Sequence, residues 1–255
     1  MELIDTHTHI YLNQFDNDRA ATVDRAVKAG VSRMLMPNID SHTVGDMLAV
    51  TRKFPEQCLP MMGLHPTSVK ETYRTELSVI ENWFTKEHFA AVGESGLDLY
   101  WDTRYEQEQK EALEMHIGWA VQYNLPLVLH SRNSLKLLMD MIDQHRQPAL
   151  TGVFHCYPGG PEDAFKVIDM GFMLGIGGVV TYKNSLMAEV VKAVNLEHII
   201  LETDAPFLSP VPYRGKRNES AHLVYVAERI AEIKGVTVEE VASVTTANAR
   251  KLFGM

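Results

Sequence analysis

Cysteine is scarce in this chain: Cys58 and Cys156 are the only two among 255 residues. Two thiols cannot build the disulfide framework of a secreted scaffold, and a chain of this length can bury a full core without staples. Long apolar runs are also missing, and none reaches the roughly 20 residues that a membrane helix needs. The opening Met1-Glu2-Leu3-Ile4-Asp5 lacks the basic and apolar regions of a signal peptide. The expectation is a cytoplasmic protein with no membrane partner and no obligate protein partner. Positive charge is short too, with 24 Lys and Arg against 33 Asp and Glu, a net charge of −9. That balance excludes a protein that coats nucleic acid by bulk charge, yet leaves room for an enzyme with a local basic patch. Linkers, repeats and low-complexity stretches are absent, so residues 1–255 read as one domain.

The chain is 45% apolar and 22% charged, and two kinds of segment alternate along it. Short apolar runs bounded by Gly, Pro, Asn or Asp read as buried parallel strands. They are 3–9, 33–39, 59–65, 90–94, 125–130, 150–156, 172–177 and 198–204. Between them lie segments with helical spacing, such as 18–29 stopped by Gly30 and 105–122 with Leu113, His116, Ile117 and Ala120 on one face. Two helices, 219–233 and 238–252, close the chain. Eight strands alternating with helices predict an α/β fold, a single-domain (β/α)8 TIM barrel. A doubly wound open sheet has the same local pattern.

The strand ends favour the barrel. They carry His7 and His9, Asn38, His65, Glu94, His130, His155 and Asp204, and only the seventh strand, ending in Gly175 to Gly178, has none. A barrel gathers strand C-termini into one active site, whereas buried carboxylates are rare without partners. His7 and His9, two apart on a strand, project from one face and can clasp a divalent ion, with Asp5 behind them as support. Alone, that pair reads equally as strand histidines facing solvent, and His130 or His155 alone reads as a core or capping residue. Cys156 falls on the opposite face from His155 and reads as packing. Taken together, four histidines and two carboxylates on one face point to metal. Imidazole and carboxylate without thiolate suits Zn²⁺, Mn²⁺, Fe²⁺, Co²⁺ or Mg²⁺, and six donors suit two ions sharing a carboxylate.

These residues resemble the TatD-type deoxyribonucleases, metal-dependent hydrolases of the amidohydrolase-like barrel superfamily. The resemblance rests on Asp5-Thr6-His7-Thr8-His9, Gly63-Leu64-His65-Pro66, Gly93-Glu94-Ser95-Gly96-Leu97-Asp98 and His130-Ser131-Arg132. It continues through His155-Cys156, Glu202-Thr203-Asp204-Ala205-Pro206 and Pro212-Tyr213-Arg214-Gly215-Lys216-Arg217-Asn218-Glu219, almost the whole chain in order. It implies two divalent ions per chain (Zn, Mg or Mn), one held by His7, His9, Glu94 and Asp204, the other by Glu94, His130 and His155. Asp204 would orient or deprotonate the attacking water, and His65 would contact phosphate or the leaving group. Arg132 would support substrate. Asp98 and Glu202 also match motif positions, but read as structural residues, in loop capping and barrel salt bridges.

The expected reaction is hydrolysis of DNA phosphodiester bonds, on a single strand or a 3′ end, with Arg214 and Lys216 gripping flanking phosphates. The competing readings are a hydrolase of small phosphoesters, amides or lactones on the same barrel, and a non-catalytic metal-binding protein. Ser95, Asn133-Ser134, Tyr157-Pro158 and Ser220 depart from the family pattern without removing a ligand.

Overall fold

In the computed structural model, which describes residues 1–255, strands and helices alternate from end to end. They run β1 (Leu3–Asp5), α1 (Arg19–Lys28), β2 (Val31–Pro37), α2 (Val44–Lys53), β3 (Cys58–Met61), α3 (Tyr73–Trp83), β4 (Val92–Asp98) and α4 (Glu106–Tyr123). The order continues β5 (Leu127–Arg132), α5 (Leu135–Gln144), β6 (Gly152–Phe154), α6 (Pro161–Asp169), β7 (Phe172–Ile176), α7 (Met187–Ala193), β8 (Ile199–Leu201), α8 (Leu223–Lys234) and α9 (Val238–Phe253). Gly30 and Gly171 take positive φ just beyond α1 and α6, where the chain must leave the helix in a conformation glycine adopts freely.

Every strand pairing is parallel, β1-β2-β3 in one run and β4 through β8 in the other. The two runs join into a ring. Met62 pairs with Val92 between β3 and β4. On the other seam Thr6 N–H donates to Leu201 O at 3.0 Å, and Thr8 pairs with Ala205. The fold is therefore a TIM barrel, and the open-sheet alternative falls.

The barrel interior is apolar at one level. Ile4, Leu35, Met61, Ala91, Val128, Val153 and Ile200 form a cluster with Ala249 and Phe253 of α9, and Met173 packs against it. Each of the eight strands, or the residue just before it, contributes one member, which places the cluster inside the ring. Helix α9 plugs the N-terminal end, where Thr246 Oγ1 donates to Glu2 O and Asn248 Nδ2 donates to Leu196 O and Ile199 O. A larger apolar layer lies between the strands and the surrounding helices.

Several strands are shorter than their apolar runs. β1 stops at Asp5, β3 at Met61, β6 at Phe154 and β8 at Leu201. His7, His9, His65, His155 and Asp204 therefore lie beyond the strands, while Glu94 and His130 lie within β4 and β5.

Candidate metal centre

Strand alternation delivers most of the cluster. From the apolar inner layer, two residues onward lead from Val128 to His130, from Val153 to His155 and from Ile200 to Glu202, then to Asp204. The rule fails on β1 and β4, where His7 and Glu94 stand three residues past Ile4 and Ala91. In β4 a register irregularity between Val92 and Ser95 places an extra residue beside Glu94, and such bulges re-aim side chains near active sites. His7 lies two residues beyond the end of β1, where strand alternation no longer applies. His7 and His9 thus share the site without sharing a strand face, a correction to the strand-pair reading.

Glu94 is the hub, with its side chain 2% exposed. Its Oε2 faces His7 Nε2 at 3.0 Å and His9 Nε2 at 3.7 Å. Its Oε1 faces His130 Nδ1 at 3.0 Å, His65 Nε2 at 3.5 Å and His155 Nε2 at 4.0 Å. Asp204 Oδ1 closes the far side, 3.6 Å from His9 Nε2, 3.8 Å from His155 Nε2 and 3.9 Å from His7 Nε2. All six residues expected as ligands meet here, together with His65. Three groups have donor atoms close enough to share an ion: His7, His9 and Glu94; His7, His155 and Asp204; His65, Glu94 and His130. His155 thus sits with His7 and Asp204, its ring stacked on that of His7 at 3.4 Å.

The outer contacts set which ring nitrogens face inward. Tyr11 donates its one hydroxyl proton to Pro37 O at 2.6 Å, so His9 Nδ1, 3.0 Å from that hydroxyl, is the donor there. The lone pair of His9 is then on Nε2, facing Glu94 and Asp204. His65 is held the other way: its Nδ1 accepts from Thr67 N–H at 3.2 Å, which leaves the proton on Nε2. Tyr11 was missed in the sequence, although its spacing, two residues past His9, was the available signal.

Asp98 and Glu202 do more than the cap and salt bridge expected of them. Asp98 Oδ1 does cap its loop, accepting from Tyr100 and Trp101 N–H, but Oδ2 meets His130 Nε2 at 3.0 Å. Glu202 lies 3.0 Å from His155 Nδ1 and accepts from Cys156 N–H at 2.5 Å. The bare seventh strand explains itself here: a Cβ on Gly175 would collide with the Glu202 carboxylate. Cys156 does not turn away from His155. Its backbone is left-handed (φ 42°), which breaks the alternation, and the residue lines the same cavity as His155. Asp204 is also left-handed (φ 56°), pinned by its N–H to His7 O at 2.9 Å. Asp5 does not touch the His7 ring; it accepts from Thr203 N–H and Oγ1, fastening β1 to the end of β8. Asn38 likewise clamps a loop, donating to Gly63 O and Asp40 O.

Burial works against charge throughout the cluster, and the neighbours decide each outcome. Burial alone would raise the Glu94 carboxyl, but His7, His65, His155 and the bond to His130 hold it well below its ordinary value. Asp204 is lowered in the same way, against burial, by His9, His155 and His7. Burial lowers His7, with the adjacent His155 adding to the effect. His155 is pushed up to about 10, because Glu202, Glu94 and Asp204 outweigh burial.

The donors fit divalent metal. His7 Nδ1 and Nε2 and His155 Nδ1 are fully buried without an aligned hydrogen-bond partner. Native proteins rarely leave such atoms unsatisfied, and a cation facing His7 Nε2 is one way the demand at the cluster is met, while His155 Nδ1 faces Glu202. Hard and borderline donors without a close thiolate match the ions named above.

A cavity of about 660 Å³ opens over the cluster and is also lined by Arg132, Trp101 and Phe207. The Arg132 guanidinium has no carboxylate partner and lies 3.9 Å from the centre of the Tyr100 ring. Arg214 and Lys216 do not line this cavity; Arg214 sits 4.4 Å over Tyr182. Their neighbour Arg217 is bound to Asp18 at 2.7 Å, a lock between the loop after β8 and the start of α1.

Comparison with known proteins agrees with this geometry. Residues 4–254 match the family described as TatD related DNase. An uncharacterized metal-dependent hydrolase of Bacillus subtilis, YabD, is 36% identical over 252 residues, 98% of each chain. A Mycobacterium tuberculosis protein named as the uncharacterized metal-dependent hydrolase TatD is 31% identical, covering 99% of this chain and 98% of its own. Among solved structures, the Escherichia coli TatD homolog YjjV superposes with a TM-score of 0.93 at 28% identity, covering 99% of this chain and 98% of that one.

Proposed function

The chain belongs to the TatD related DNase family of metal-dependent hydrolases, and we propose that it hydrolyses phosphodiester bonds of DNA, on single strands or 3′ ends, with two divalent ions per chain. The observation that carries this reading is Glu94, whose two oxygens face separate sets of histidine nitrogens, an arrangement that would let one carboxylate serve two ions. Charge supports it: Glu94, Asp98, Glu202 and Asp204 crowd one site, and two divalent ions would balance four carboxylates.

His7, His9, Glu94 and Asp204 would hold one ion, and Glu94, His130 and His155 the other. Bound there, such ions supply Lewis acidity to a water and to the phosphoryl oxygens. The protein's own groups divide the remaining work by exposure. The Asp204 side chain is 16% exposed to the cavity while that of Glu94 is 2% exposed, so Asp204 is the carboxylate a water can reach. Lowered below its ordinary value, Asp204 is ionised at neutral pH and can take the water's proton on Oδ1. His65 carries its proton on Nε2, the atom facing the cluster, which suits donation to a phosphoryl or departing oxygen. Arg132, unpaired at the mouth, is placed to contact the phosphate. No helix is long and apolar enough to cross a membrane. Both cysteines are free, which suits the reducing cytoplasm expected from the sequence.

The test is metal-reconstituted protein offered single-stranded DNA, RNA, a small phosphodiester and a lactone side by side, with elemental analysis. Cleavage of DNA, two ions per chain, and loss of both ions in Glu94→Ala are expected. Preference for the lactone, or full metal loading without turnover on any substrate, would return the competing readings to first place.

A further inference from the structure

The barrel mouth carries exposed aromatic rings that packing does not explain. Trp101 is 66% exposed and Tyr100 52%, in the loop that follows β4. Phe207 is 47% exposed in the loop that follows β8. In a ring of eight strands, β4 and β8 stand diametrically opposite. Trp101 and Phe207 nevertheless line one cavity, with Glu94 and Asp204 among its other walls.

Both loops are anchored to residues of the metal centre, one through a carboxylate and the other through a backbone carbonyl. Asp98, which meets His130, accepts from the backbone of Tyr100 and Trp101 at 3.0 and 3.1 Å. Leu99 N–H donates to Arg132 O at 2.9 Å, tying the loop to β5. Across the mouth, Phe207 N–H donates to Asp204 O at 2.8 Å. The backbones that carry the rings are thus fixed relative to the centre rather than lying on a free tip.

The arginines add a second, independent signal. Only Arg132 and Arg214 lack a carboxylate within salt-bridge reach; the others are paired. Arg132 instead lies over aromatic surface, 3.9 Å from the Tyr100 ring centre and 5.0 Å from that of Trp101. Its guanidinium hydrogens remain available to an anion. Flat apolar surface joined to an unpaired guanidinium is the chemistry that receives a planar base attached to a phosphate.

We propose that Trp101, with Tyr100 and Arg132 beside it, and Phe207 across the mouth are the stacking surfaces for two nucleobases, one on each side of the scissile phosphate. The inference rests on the phosphodiesterase reading and adds the residues that select the substrate. Stacking on an aromatic face tolerates any base, so these residues hold the strand without reading its sequence, and they engage only unpaired bases.

The experiment is equilibrium binding by fluorescence anisotropy. Metal-loaded full-length protein meets hydrolysis-resistant phosphorothioate pentanucleotides, either complete or with one abasic sugar at each position in turn. Trp101→Ala is expected to weaken binding of the complete strand by about 5- to 150-fold, the range for loss of one aromatic–base stack. It should also erase the penalty of an abasic sugar on one side, and Phe207→Ala should erase it on the other. Trp101→Phe should restore most of the affinity, and an unchanged unfolding temperature verifies the fold. Equal binding of complete and abasic strands by the wild-type protein, or wild-type affinity in Trp101→Ala, overturns the stacking proposal. Turnover separates the two ideas: stacking-dependent binding without cleavage of any oligonucleotide would sink the activity and leave the platform. Cleavage with an unchanged KM in Trp101→Ala would do the reverse.

Discussion

The two ends of this barrel are built to opposite rules. At the N-terminal end the inward positions are hydrocarbon, and α9 seals them with Ala249 and Phe253. Two residues further along β5 and β6, roughly 7 Å of strand rise, the inward positions become His130 and His155. The first end has no polar demand to satisfy. The second gathers buried carboxylates and histidines whose burial is offset by one another. Stability and chemistry are thus separated by depth along the same strands. One end can be damaged without the other.

The sharpest test substitutes the chemical end. Asp204→Asn should lower kcat by roughly 10²–10⁴, the usual contribution of a general base. Metal content must be measured alongside, since the substitution also removes a negative ligand. In chelator the same variant should unfold somewhat below the wild-type temperature, because it loses the attraction of His9, His155 and His7 for the carboxylate. A loss there as large as that of an emptied core position would show that the mouth also holds the fold together.

The converse substitution is Ile200→Ala in the apolar layer. It should cost about 2–5 kcal/mol in denaturant unfolding, the range for emptying a buried aliphatic position. The metal content of the folded fraction should not change. Loss of metal in a folded Ile200→Ala protein would mean that the two ends are coupled.

His116 offers a graded test between the ends. It sits on α4 with Nδ1 donating to Ala112 O at 2.6 Å and Nε2 accepting from Leu64 N–H at 2.9 Å, beside the His65 loop. Burial lowers it to about 4 from an ordinary value of 6.5. The unfolded chain takes up this proton near pH 6.5, whereas the folded protein resists it until about pH 4. Stability from this group is therefore complete above pH 6.5 and declines as the pH falls toward 4, by about 3 kcal/mol in all. His116→Gln, which keeps an acceptor but does not titrate, should flatten that part of the pH–stability curve. Parallel curves for the two proteins would contradict the neutral, doubly bonded imidazole.

The smallest effects divide one loop. Arg217→Ala breaks the tie to Asp18 and should cost about 1 kcal/mol of stability or less, leaving oligonucleotide affinity alone. Arg214→Ala with Lys216→Ala touches no ion pair, and should instead raise KM for oligonucleotides. It should flatten the salt dependence by roughly 0.7 log unit for each single-strand phosphate that the loop no longer neutralises. An unchanged salt slope would make the whole loop structural.

Eight apolar runs punctuated by Gly, Pro and Asn were sufficient to read the barrel, because burial on both faces demands continuous hydrophobicity. Ionisable residues at the ends of those runs were sufficient to locate the site, because a closed parallel ring has one face where strand C-termini meet. What lay beyond reach depended on backbone detail. The early end of β1 before His7, the irregularity in β4 beside Glu94, and the left-handed turn that brings Cys156 to the cavity leave no periodic trace. Nor could local pattern tell Arg217, locked to Asp18, from Arg214, stacked on Tyr182, since both are basic residues of one exposed segment. The supporting contacts of Tyr11, Asp98 and Glu202 were likewise decided by closure, which sets side chains from separate strands at hydrogen-bond distance. Hydrophobic pattern is written in the order of residues and survives in one dimension. The orientation of a ring nitrogen depends on its neighbours in space, and only the closed barrel supplies them.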